Sequence, residues 1–146
     1  MVYLFARIFY EVRQRTEDVL GPHGLTSMQF TILITLNRWA GMSSADLSRR
    51  FNVTPQTMGE MISNLERRGF LVRTPDQANR RALRLSLTDE GLRMLDVCNG
   101  AMDRLEGALL EAMPAEEVQA LKRQLRLLHN HLGLTDDISD GAGSAE

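Results

Sequence analysis

Between Thr54 and Arg84 the chain gathers side chains that hydrogen-bond and carry charge, at spacings that suit recognition of a polyanion. One set is short and polar: Gln56, Thr57, Glu60, Ser63, Asn64 and Arg67 fall on one face of a helical repeat. Gln and Asn match adenine edges, Thr serves a base or a phosphate, and these lengths suit the floor of a major groove. The N–H groups around Thr54, Pro55 and Gln56, where that helix starts, suit a phosphate oxygen. A second set is cationic: Arg73, Arg80, Arg81 and Arg84, with Asn79 just ahead of the central pair. Packing guanidinium groups together costs self-repulsion, which a minor groove with its focused negative potential offsets.

Bond-making chemistry has no such constellation. The sequence holds no P-loop, GxGxxG, HExxH or nucleophile elbow, so no catalytic residue and no cofactor is expected. No metal is expected either. His129 and His131 are two apart, on different sides of a helix, and Asp136, Asp140 and Gly141 echo a calcium loop without its closing Glu. The single cysteine, Cys98, falls on or near the stripe of Leu95 and Met102 and reads as a small buried thiol. A redox switch would need nearby cations to lower its pKa, and the nearest charge in sequence is Asp96.

The elements that hold these groups follow from caps and periodicity. Residues 2–20 form an amphipathic helix through Leu4, Phe5, Ile8, Phe9 and Val12, broken at Gly21-Pro22-His23-Gly24. Thr26 and Gln29 make a capping box for a second helix that ends near Ala40-Gly41. A short third helix runs from Ser43 or Ser44 to about Phe51. After the Asn52-Val53 turn, Thr54 caps a fourth helix with Pro55 at its first position, ending at Arg68 and Gly69. The period then changes to two. Phe70 to Thr74 and Leu83 to Leu87 read as strands around a polar turn over 75–81, with Arg84 facing outward and Arg73 opposite it. Thr88 caps a helix to about Ala112, and Pro114 opens a last helix with Val118, Leu121, Leu125 and Leu128 in a heptad-like seam. A lone hairpin among helices must pack on one of them, and directly after a helix-turn-helix it is a wing. The expected fold class is therefore mainly α with a small β-hairpin wing.

Composition and charge agree. The apolar run near the start, Val2 to Ala6, is too short for a membrane span or a signal core, and one cysteine suits a reducing cytoplasm, so a cytoplasmic protein with no membrane partner is expected. Residues 43–88 carry eight Arg against four acids, a net of +4, inside a chain of net −2. That points to one surface built for a polyanion.

The run RTPDQANRRALRLSLTDEG (73–91) resembles the wing signature of the MarR family of regulators, and TPQTMGEMISNLERRGFL (54–71) resembles its recognition helix. The resemblance covers nearly the whole chain. Arg81 matches the wing-tip Arg, and Leu87-Thr88 with Gly91 match the LT..G that closes the wing. It implies a single domain over 1–134: dimerisation helices at 1–24 and 92–134, and a winged helix-turn-helix DNA-binding lobe at 25–91. Residues 135–146 read as a disordered acidic tail. The resemblance further implies a homodimer on palindromic double-stranded DNA, acting as a repressor, less often an activator, relieved by a small aromatic or anionic effector or by thiol oxidation. Two departures stand out. Asn79 replaces a common Asp, and Glu60 and Asn64 occupy positions that are often basic in relatives.

An effector pocket is expected where the dimer helices meet the DNA-binding lobe, from Tyr10, Arg13, Arg15, His23 and Trp39, by stacking plus a charge-assisted hydrogen bond. Two other readings remain open on sequence: a winged-helix protein-interaction adaptor that has lost DNA binding, and a Cys98-based redox-sensing regulator.

Overall fold

The structure is a computed structural model that describes residues 1–77, 79 and 82–133. Its order is α1 (Val2–Leu20), a 3-10 turn (Gly21–His23), α2 (Ser27–Arg38), α3 (Ser44–Arg50), α4 (Pro55–Arg67), β1 (Leu71–Pro75), β2 (Leu83–Leu87), α5 (Asp89–Leu110) and α6 (Ala115–His131). The expected mainly helical architecture with a two-stranded wing is what forms.

Local chemistry sets the boundaries. Thr26 accepts from the Gln29 N–H while the Gln29 side chain accepts from Thr26 N, a complete capping box for α2. Ser43 and Asp46 do the same for α3, and Thr88 accepts from Gly91 N at the start of α5. Each cap satisfies N–H groups that the helix itself leaves unpaired. Gly69, at φ 77°, takes the left-handed position after α4 that a side chain would resist.

The core gathers the inward faces of α2 to α5 and the hairpin. Ile32, Leu33, Leu36, Leu47, Met58, Ile62, Leu65, Leu71, Leu85 and Cys98 are buried together. Met58, Ile62 and Leu65 pack inward as their spacing predicts, which leaves the polar side of α4 facing out.

Several boundaries differ from expectation by one or two residues. The second helix stops at Arg38, because residues 41–42 leave the helix to pair with β2: Gly41 N donates to Leu85 O at 3.0 Å, and Leu85 N to Met42 O at 2.9 Å. This adds a short third rung to the wing. The first strand begins at Leu71 and the α5 helix ends at Leu110, shifts of one and two residues. Register also places Arg84 opposite Thr74 and Arg73 opposite Leu85, so the two arginines are diagonal, not paired.

The close of the wing explains its sequence. Thr88 N donates to Phe70 O at 3.1 Å, and Thr88 Oγ1 donates to Gly69 O at 2.5 Å. That draws the first turn of α5 against Phe70 so tightly that a Cβ on Gly91 would lie 1.9 Å from the Phe70 carbonyl oxygen. Only glycine fits there.

The two outer helices are different. Leu4, Phe5, Ile8 and Phe9 of α1 are about half exposed, as are Leu125 and Leu127 of α6, and α6 buries no residue.

Candidate nucleic-acid interface

Helix α4 presents Gln56, Thr57, Glu60, Ser63 and Arg67 as exposed side chains along one side. Thr54 Oγ1 accepts from Thr57 N at 3.1 Å and lies 2.8 Å from Thr57 Oγ1, fixing the first turn, with Pro55 holding the entry. Gln56 Nε2 donates to Glu60 Oε1 at 3.2 Å across one turn. Asn64 is only half-exposed. Its Oδ1 accepts from the buried Gln29 side chain at 3.1 Å, so its amide is oriented by the protein interior and keeps N–H groups to offer outward.

The described wing arginines are engaged within the chain. Arg84 lies against Asp76, with Nε at 2.6 Å and Nη2 at 2.5 Å from the same carboxylate oxygen, and Nη1 donates to Gly41 O at 3.1 Å. It ties the hairpin to the segment between α2 and α3. Arg73 Nε pairs with Glu66 at 3.0 Å, and its Nη2 donates to Ser63 at 2.9 Å, tying β1 to α4. Both guanidinium groups are spent on carboxylates of the same chain. They tie the wing to the rest of the lobe, and both side chains stay partly exposed, at 29% for Arg73 and 42% for Arg84. Asn79 is exposed and its carbonyl accepts from Ala82 N at 2.8 Å in the closing turn. Arg80 and Arg81 lie outside the described residues, as does the stretch 134–146.

The basic middle of the sequence is thus largely paired within the chain. Of its six described arginines, Arg49 pairs with Asp46, Arg50 stacks on Trp39, and Arg68 donates to the carbonyls of His23 and Gly24. Arg73 and Arg84 are engaged as above. Arg67 is exposed with no partner among the described residues. Asp46 anchors one end of this network. Hydrogen bonds from the Ser43 hydroxyl and backbone N–H, with smaller help from Arg49 and Arg84, hold its carboxyl below the usual range.

Two of the five residues expected to hold an effector, His23 and Trp39, lie at opposite ends of α2. Trp39 caps the C-terminal end of α2, where its ring lies 4.8 Å from the Arg38 guanidinium and 4.2 Å from that of Arg50. His23 precedes the other end of α2, about 18 Å away by helical rise alone. Tyr10 is exposed on α1, edge-on to Phe9 at 5.6 Å, and Arg15 pairs with Glu11 at 2.7 Å. Arg13 is exposed on the same helix. Two open grooves, of about 450 Å³ between α5 and α6 and about 560 Å³ between the wing and Ala40-Gly41, are lined by none of the five.

Cys98 is fully buried, and burial raises its thiol pKa, an effect that the positive field of Arg68 opposes only in part. That is the small buried thiol expected, and it argues against the redox-sensing reading. No group of three metal-ligating side chains occurs among the described residues. No helix among them is long and apolar enough to cross a membrane.

Sequence reasoning missed Gln29 as the support of Asn64, and missed Asp76 and Asp46 as the groups that fix Arg84. The capping signal at Gln29 was visible, but its second contact is 35 residues away and leaves no local trace.

Comparison with known proteins gives a consistent picture. Residues 25–83 match the profile of the MarR family. The chain is 30% identical over 126 residues to the HTH-type transcriptional repressor Rv2887 of Mycobacterium tuberculosis, covering 86% of this chain and 91% of that one. Its fold is similar to that of Rv2887 in complex with salicylic acid (TM-score 0.73, 30% identity, 88% of this chain and 95% of that one). It is also similar to the transcriptional repressor CouR bound to a 23-mer DNA duplex (TM-score 0.78, 26% identity, 88% and 91% covered).

Proposed function

The chain belongs to the MarR family of transcriptional regulators, and from that premise we propose that it is a homodimeric repressor whose α4 helices read a palindromic operator until a small aromatic or anionic ligand releases it. The observation that carries this reading is the outward side of α4. A helix anchored inward by Met58, Ile62 and Leu65 offers Gln56, Thr57, Glu60, Ser63 and Arg67 together, beside a hairpin whose base is clamped by Arg73 and Arg84. A rigid helix with short polar groups is what direct readout in a major groove needs.

The wing, carrying Asn79, Arg80 and Arg81, is assigned to a flanking minor groove. Dimerisation is assigned to 1–24 and 92–134, supported by the apolar residues of α1 and α6 that the single chain leaves exposed. Release by an aromatic acid is supported by the similarity to Rv2887 in its salicylic acid complex. Tyr10, Arg13, Arg15, His23 and Trp39 then serve one pocket only if the second copy brings distant ends together.

Selection of duplexes from random sequence, followed by binding at two salt concentrations with and without salicylate, tests the proposal. Enrichment of a palindrome, affinity that falls steeply with salt, and weakening by salicylate are expected. A chain that retards no duplex in low salt is the adaptor and not the repressor.

A further inference from the structure

We infer that Glu60, steered by Gln56, is the residue that sets base specificity on α4, by accepting a hydrogen bond from an exocyclic amino group, cytosine N4 or adenine N6, in the major groove. This rests on the DNA-binding reading above and names what one position of its site must contain. Glu60 is exposed, and its only polar contact within hydrogen-bond distance among the described residues is the amide of Gln56 at 3.2 Å. The other acids of residues 43–88 are each paired with an arginine: Glu66 with Arg73, Asp76 with Arg84, and Asp46 with Arg49. No cation of the described residues faces Glu60 in this way.

An uncompensated carboxylate on a face that approaches phosphates weakens binding to every sequence. What offsets the repulsion must be a donor at the groove floor, since an ionised carboxylate only accepts. In the major groove guanine shows N7 and O6 and thymine shows O4, all acceptors, whereas cytosine N4 and adenine N6 donate. Gln56 spends an N–H on Glu60, which fixes the carboxylate over one turn of helix, and keeps its own Oε1 as a further acceptor. Glu60 therefore rejects guanine and thymine on the strand it faces, as well as selecting their partners. Such a residue trades affinity for discrimination.

The test compares the wild-type chain with Glu60→Gln and Glu60→Ala. Both changes lie on an exposed helical surface with good helix formers, so folding is retained. In duplex selection the wild type is expected to fix cytosine or adenine at one position of each half-site, and Glu60→Ala to lose preference there alone. The ratio of specific to non-specific affinity should fall about 10- to 100-fold, while binding to non-specific duplex tightens in both variants as a negative charge is removed. The amino group is then deleted chemically, with 2-pyrimidinone in place of that cytosine or purine in place of that adenine. Wild type should lose about tenfold or more, and Glu60→Ala should lose much less. Unchanged preference in both variants, or equal losses from the deleted amino group, overturns the inference while leaving the repressor reading intact. If the wild type retards no duplex, both fall together.

Discussion

On the proposed interface the arginines of the wing have two roles, holding it (Arg73, Arg84) and contacting DNA (Arg80, Arg81), and the two roles are separable by salt. Arg84 places Nε and Nη2 on Asp76 and Nη1 on Gly41 O, so on the proposed reading it serves to hold the wing. Arg84→Ala should lower DNA affinity by loosening the wing, yet leave the slope of log affinity against log salt unchanged. Arg81→Ala should flatten that slope by about 0.9, the value of one released phosphate contact. Anisotropy titrations at several salt concentrations give both numbers, and a flattened slope for Arg84→Ala would contradict its positioning role. Cys98 makes a matching prediction. With its thiol buried and its pKa raised, peroxide should leave DNA affinity unchanged in the wild type. A peroxide-dependent loss of binding that Cys98→Ser abolishes would reverse this.

Individual elements show what a sequence reveals about itself. Helix caps at Thr26, Ser43, Thr54 and Thr88 are contacts over three residues, so they can be read from type and spacing, and each occurs. The ties between elements cannot be read so. Gln29 to Asn64, Arg68 to Gly24 and Arg84 to Gly41 span 35, 44 and 43 residues, and other side chains of the same type had equal claim to each partner. That is why the polar side of α4 was legible, whereas the intrachain partners of Arg73 and Arg84 were not. Motif Gly91 shows the other side: its position was visible, its reason was not, until the Phe70 carbonyl stood in the way. Gly91→Ala forces either α5 or the Phe70 backbone to move, which should cost about 1–3 kcal/mol in denaturant unfolding. At the N-terminus of α3 the depressed Asp46 carboxyl favours the folded state at pH above the ordinary Asp value of about 3.9, and that stabilisation is lost as pH falls through the lower folded value. Asp46→Asn should thus be less stable than wild type at pH 7, with the gap closing below about pH 4. A gap independent of pH would mean that the carboxylate's charge contributes nothing.

At the scale of the molecule, the compact lobe and its outer helices have opposite needs. Helices α2 to α5 bury their apolar faces on each other, but Leu4, Phe5, Ile8 and Phe9 on α1 and Leu121, Leu125 and Leu128 on α6 stay exposed. Water contact with so many large apolar groups is costly, and the second copy of the proposed dimer would remove it. In the proposed complex two copies would also strengthen DNA binding, because the second half-site is engaged at the high effective concentration set by the first. Ile8→Glu with Leu125→Glu should yield a folded monomer whose affinity for a palindrome collapses to that for a half-site. Sedimentation of the wild-type chain with its selected duplex is the most direct measurement of the whole account. Two chains on one symmetric duplex, formed from a dimer already present without DNA, is the predicted result; a monomer, or one chain per duplex, would contradict it.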